Sequence, residues 1–175
     1  DMVRRITREQ TPNYRITLYN ELSDFMAAGL LKLPSTENLI LNYVATRRDH
    51  YPNDDMVNFN VPDVNIGYYL NLQFTSTGAH LAQAEGPWKM EFNYRFVNSK
   101  APLYFSMINV GNQREFLLAI SANAIMMWNF DTYDTDTYLQ EFYETYFGKK
   151  HKKEIAVLYK DFFYAYWEQK KSDFP

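Results

Sequence analysis

The chain has 175 residues, 46% of them hydrophobic, with 15 Tyr, 13 Phe and 3 Trp, no cysteine and a net charge of −3. That length suits one domain and falls short of the ~250 residues of a complete eight-fold α/β barrel, and the scattered Lys and Arg exclude an electrostatic footprint for nucleic acid. Without cysteine there are no disulfides or zinc-thiolate sites, and no apolar run reaches the ~18 residues that mark a membrane span.

Thr11-Pro12 reads as a cap followed by proline at a first helical position, and Tyr14, Leu18, Leu22, Phe25, Met26 and Leu30 recur at helical spacing. A helix over 12–32 is predicted, ending before Pro34. Residues 38–45 form a short apolar run between turn residues, the pattern of a strand buried on both faces. The polar stretch 46–63 has no periodicity and is predicted as a functional or disordered loop. A second strand is expected over 64–74, a loop over 75–85, a short amphipathic helix over 88–96, a third strand over 103–110 and a helix over 114–128, with Asn112 and Glu115 in capping-box-like positions. Alternation of this kind builds parallel sheets, so the three strands are expected to be parallel neighbours, with helices 12–32 and 114–128 on their outer face.

After residue 132 the pattern changes. Tyr138, Leu139, Phe142 and Tyr146 form one helical stripe ending at Gly148, and Ile155, Leu158, Tyr159, Phe162, Phe163 and Tyr166 form a second. The expected architecture is α/β, a partial (β/α)8 barrel over residues 1–132 followed by a helical segment over 133–175 that begins a bundle.

In such an architecture chemistry sits at the C-terminal ends of the strands. Glu21 borders the apolar stripe of the first helix, where partial desolvation would raise its pKa toward that of a general acid, against the commoner role of a solvated helix-surface glutamate. Arg47, Arg48, Asp49 and His50 close the first predicted strand as an anion-binding cluster, Arg being suited to a planar carboxylate, or else as a solvated charged loop. Tyr69, Asn71 and Gln73 alternate along the second strand and share one of its sides, lining a pocket if that side faces inward and meeting a helix if it faces outward. Asn109 and Asn112 end the third strand, where neutral amides suit sugar hydroxyls, although a turn and cap account for Asn112 without a ligand. His80 and His151 lack metal-ligand spacing and read as surface residues. No metal site and no cofactor is expected.

The order of these motifs resembles glycoside hydrolase family 115, over nearly the whole chain. Leu18-Tyr19-Asn20-Glu21 followed by Gly29 and Pro34 matches a family helix and turn, Tyr68-Tyr69 its Tyr-Tyr segment, Asn109-Val110-Gly111 and Glu115 its Asn-Val-Gly and following glutamate, and Phe147-Gly148 and Lys170-Lys171 its bundle. The resemblance implies the second half of a catalytic barrel plus the start of a helical domain, an α-glucuronidase-like activity on uronic-acid-bearing plant polysaccharide, and a periplasmic or extracellular location. Of the pocket residues that the resemblance implies, Glu21 and Tyr69 are present; Asp49 is the one other carboxylate expected at a strand end, unless the second lies in an N-terminal half outside this chain, and Arg47, Arg48, His50, Asn71, Gln73, Asn109 and Asn112 are the further candidates for holding the sugar.

The departures point to a rebuilt pocket. Val44-Ala45-Thr46 stands where the family has Asp-Asp-Asn, Leu70-Asn71-Leu72-Gln73 where it has His-x-Asp-Tyr, and Gly111-Asn112-Gln113-Arg114 where it has Gly-Asp-x-Lys-Pro. Three readings follow: a divergent glycosidase, a non-catalytic carbohydrate-binding relative, and an aromatic-rich α/β interaction protein with no active site. The expected partner is an oligosaccharide or polysaccharide, with no nucleic acid and no membrane. A half barrel leaves strand edges open, so an N-terminal half outside this chain, or a homodimer, is part of the expectation.

Overall fold

The computed structural model describes residues 2–8, 13–33, 38–45, 51–61, 64–73, 83 and 85–166. In chain order the elements are α1 (Met2–Thr7), β1 (Tyr14–Thr17), α2 (Glu21–Ala27), β2 (Leu39–Ala45), α3 (Asp54–Val57), β3 (Asn65–Asn71), α4 (Pro87–Lys100), β4 (Leu103–Asn109), α5 (Leu117–Trp128), α6 (Thr135–Phe147) and α7 (Lys152–Tyr166). The strands form one sheet in the order β1-β2-β3-β4, every pair parallel. The predicted parallel neighbours are therefore present, and a fourth strand lies beside them.

That fourth strand corrects the predicted helix over 12–32: Tyr14–Thr17 is extended and pairs with Leu39–Asn42, and helix begins only at Glu21. Tyr14 and Leu18 misled because residues four apart share a face in a helix and in a strand alike. Between the two elements Asn20 takes φ 46°, a left-handed conformation that a non-glycine residue adopts at a cost.

The predicted loop over 46–63 is also corrected where it is described. Tyr51, Pro52 and Asn53 are buried, and Asp54–Val57 forms a helical turn whose Met56 is fully enclosed. Asp55 Oδ1 accepts the Met56 N–H at 2.8 Å, which lets a carboxylate enter the interior.

One face of the sheet is the core side. Leu41, Tyr43, Ile66, Tyr68, Leu70 and Leu72 are fully buried there, under α4 and α5. α4 starts at Gly86-Pro87, proline occupying the position where its missing N–H costs nothing. It is longer than predicted, and its first turn is buried on all sides because it lies between two layers: Tyr94 meets Tyr68 of the sheet at 6.0 Å, while Trp88 meets Phe163 of α7 at 6.3 Å. A helix enclosed in this way loses the one-sided stripe that periodicity detects.

The helical hairpin forms as its stripes predict. Asp134 caps α6 by accepting the Thr137 N–H at 2.8 Å, and Gly148 ends it at φ 79°. The hairpin shares the sheet's apolar core through Tyr138, Phe142 and Phe163. Among the described residues no helix is long and apolar enough to cross a membrane.

Candidate functional site

The second face of the sheet carries polar groups. Register places Thr17, Asn42, Gly67 and Phe105 in one row across the four strands, Val44, Tyr69 and Met107 in a row nearer the C-terminal ends, and Asn71 opposite Asn109 beyond that. Tyr69 and Asn71 thus lie on the face opposite the one covered by α4.

At the C-terminal rim three of the predicted residues meet. Asn71 Oδ1 accepts from Asn109 Nδ2 at 2.8 Å and from the Tyr69 hydroxyl at 3.3 Å. The Tyr69 phenol is pushed above its ordinary value chiefly by burial, partly opposed by its hydrogen bond with Asn109, so it is a neutral donor and acceptor at physiological pH. Tyr19 closes the group from the β1–α2 connection, its ring edge-on to Tyr69 at 6.2 Å and 73°. Its part was not legible from spacing, because Tyr19 reaches Tyr69 only when residues 18–20 are a strand-to-helix turn.

Glu21 occupies the first position of α2, four residues past the end of β1. It therefore lies on the rim, as a strand-end residue rather than a mid-helix one. Its side chain is exposed, not desolvated against the apolar stripe, and makes no hydrogen bond among the described residues. Near a helix N-terminus a carboxylate is also favoured by the helix dipole. Gln73 is buried and bridges antiparallel to Gln83. Asn112 uses its side-chain oxygen to accept the Glu115 N–H at 2.8 Å within the turn ahead of α5; the helix begins at Leu117, later than predicted, and its N-cap Phe116 supplies no side-chain cap, so the expected capping box is not formed. Arg47, Arg48, Asp49, His50 and His80 lie outside the described residues. His151 is an exposed residue 3.6 Å from Glu154.

Behind the rim, between the sheet's core side and α4, lies a second polar group that the sequence reading does not single out. Glu85, Lys89 and Asn93 are fully buried, Asn93 Nδ2 donates to Glu85 Oε1 at 2.8 Å, and Lys89 Nζ sits 4.1 Å from the Tyr51 ring centroid. Polar residues four apart at the start of an amphipathic-looking helix resemble a solvated face, and only the second packed layer reverses that. A cleft of about 680 Å³ lined by Phe59, Val64, Asn65, Lys100 and Pro102 opens at the opposite, N-terminal end of the sheet. Among the described residues no cluster of His, Cys, Asp and Glu could hold a metal ion.

The sequence profile of glycosyl hydrolase family 115 matches residues 1–174. No curated protein matches the chain. Among solved structures, one described as a novel family GH115 4-O-methyl-α-glucuronidase, BtGH115A, with specificity for decorated arabinogalactans, is similar with a TM-score of 0.67 and 17% identity, over 85% of this chain and 20% of that one. The chain thus spans about a fifth of the length of that solved relative. Identity at this level shows a shared fold.

Proposed function

Since this chain belongs to glycosyl hydrolase family 115, we propose that it is part of a glycoside hydrolase acting on plant polysaccharide, and that the rim cluster of Tyr19, Tyr69, Asn71 and Asn109 holds the sugar. The observation that carries this is the convergence of two amides and a phenol at the C-terminal ends of β3 and β4. Neutral groups of this kind both donate and accept, as ring hydroxyls require, and two tyrosine rings offer an apolar surface for a sugar face. The four strands are one part of a (β/α)8 barrel, whose polar face becomes its interior.

In this reading Glu21 supplies one carboxylate at the rim, open to substrate, and Asp49 the other. Inversion needs the two ~6.5–9.5 Å apart, with water between base and sugar. Arg47, Arg48 and His50 bind the carboxylate of a uronic acid, and Gln73 and Asn112 support the walls. The polymer substrate implies a periplasmic or extracellular enzyme. A non-catalytic carbohydrate-binding relative is the second reading, favoured by the exposed position of Glu21.

Calorimetry with glucuronic-acid-bearing xylo- and arabinogalacto-oligosaccharides separates them. Asn109→Ala and Tyr69→Phe are each expected to weaken binding about tenfold, the loss of one hydrogen bond of ~1–1.5 kcal/mol. Glu21→Gln is expected to keep binding and abolish release of free uronic acid. Binding without release in the parent chain selects the binding module, and no binding removes both.

A further inference from the structure

The turn from β1 to α2 is made against the preference of its own residue. Asn20 has φ 46° and ψ −112°, close to the values of about +60° and −120° at the first central position of a type II′ turn, and the Leu22 N–H closes that turn on the Tyr19 carbonyl at 3.1 Å. Such a corner favours glycine, because a Cβ there crowds the adjoining peptide. Gly29 and Gly148 stand at two other positive-φ positions of this chain.

Asn20 also forgoes the role that asparagine usually takes at the start of a helix. An N-cap with extended backbone lets its side-chain oxygen accept an N–H of the first turn, as Asp134 does at α6. Asn20 accepts only through its main-chain carbonyl, from Ser23 at 3.0 Å and Asp24 at 3.3 Å, and its exposed side chain makes no cap bond. An extended Asn20 would gain the cap and lose the strain, so the corner is held by what lies on either side of it.

Both sides are fixed by burial. Before the corner, Leu18 is fully enclosed and its N–H donates to the Asn42 carbonyl at 2.9 Å. After it, Ser23 is buried and its hydroxyl accepts from Asn53 Nδ2 at 3.2 Å. The link from Tyr19 to Leu22 has to reverse the chain between these two points. The side chain whose place depends on that reversal is Tyr19, 43% exposed, with its ring edge-on to Tyr69 of the rim cluster. Residues that their surroundings hold in sparsely populated backbone regions gather at binding and catalytic sites.

We propose that Asn20 is a positioning residue for the rim: its strained corner aims the Tyr19 ring at Tyr69 and so builds the aromatic wall against which the sugar is held. This rests on the sugar-binding reading above. Asparagine suits the task because it is among the few residues with a side chain that tolerate positive φ, whereas a β-branched residue does not. It acts through its backbone, and the ligand meets Tyr19 rather than Asn20.

The test compares Asn20→Gly, Asn20→Ala and Asn20→Val in the full chain. Folding is followed by circular dichroism, the contact between the Tyr19 and Tyr69 rings by NMR cross-relaxation, and affinity for glucuronic-acid-substituted xylotriose by calorimetry. Asn20→Gly is expected to keep the ring contact and the parent's affinity. Asn20→Val is expected to lose the ring contact and to bind about tenfold more weakly while the chain stays folded, with Asn20→Ala between the two; should Asn20→Val unfold the chain, Asn20→Ala carries the comparison. Tyr19→Ala is expected to weaken binding as much as Asn20→Val does, and the two together no further, because one acts through the other. Equal losses of affinity in Asn20→Gly and Asn20→Ala with the ring contact intact would mean that the Asn20 side chain itself meets the ligand, and would overturn the proposal. So would a ring contact that survives Asn20→Val, or one lost with affinity unchanged. A parent chain that binds no xylotriose removes the sugar reading alone, and the ring contact across the three variants then decides whether Asn20 sets Tyr19.

Discussion

The most exacting residue on the polar face is one without a side chain. A Cβ at Gly67 would stand 2.7 Å from Asn42 Oδ1 and 3.2 Å from Phe105 Cδ1. Asn42 is fully buried, tied to Thr17 Oγ1 at 3.4 Å, and cannot swing away without losing that bond. Gly67→Ala is therefore expected to destabilise the fold by ~1–3 kcal/mol in urea denaturation, and Asn42→Ala in the same chain to recover part of the loss. On the core side Tyr94 plays the opposite part. Its hydroxyl lies 2.6 Å from both Ser106 Oγ and Asn123 Oδ1, joining α4, β4 and α5 at one point. Tyr94→Phe is expected to cost about 1 kcal/mol, since Ser106 Oγ and Asn123 Oδ1 are half-buried and still bond each other at 2.9 Å. Neither position was legible in the sequence. Glycine in a strand and tyrosine in a helix are unremarkable until three elements converge on them.

At the scale of elements, legibility followed burial. β2, with both faces covered, read as a continuous apolar run, and α6 and α7, with one face covered, read as stripes. Tyr69 and Asn71 were placed on a common side by alternation alone, and Asn109 was set apart as the amide that no turn explained, so three members of the rim cluster were visible before their contacts were. What failed were short elements and enclosed ones: four residues of β1 mimicked a helical turn, and α3 and the start of α4 hid charged residues in the interior. The connection between α5 and α6 shows how such a place is held. Arg95 donates to the carbonyls of Phe130 and Tyr133 at 2.8 and 2.7 Å, and Glu91 Oε2 accepts the Thr135 N–H at 3.0 Å. Arg95→Lys keeps the charge but loses the two-pronged geometry. A loss of ~1–3 kcal/mol is expected, against ~1 kcal/mol for removing the α6 cap with Asp134→Ala, both read by chemical denaturation.

Across the whole molecule, buried tyrosines set the alkaline limit. Burial pushes Tyr138 from its ordinary value of 10.0 up to about 12, and Tyr43, Tyr94, Tyr133 and Tyr143 are pushed up further, again chiefly by burial. An unfolded tyrosine ionises near 10, so the stability these phenols contribute is whole below that pH and declines as pH rises toward their folded values. The melting temperature is expected to be level from neutrality to about pH 9 and to fall steeply above 10, with the phenolate absorbance of these five buried tyrosines appearing at the unfolding transition rather than before it. A chain whose Tm is as high at pH 11 as at 8 would contradict the burial of these rings. Lys89 offers a finer gauge of the same enclosure. Its amine, shut beneath the Tyr51 ring at the start of α4, meets solvent only when that turn lifts, whereas the Lys149 side chain is 84% exposed. An acylating reagent should modify Lys149 at the rate of a free amine and Lys89 at the rate of opening, so one peptide map would time how often the back of the rim comes apart.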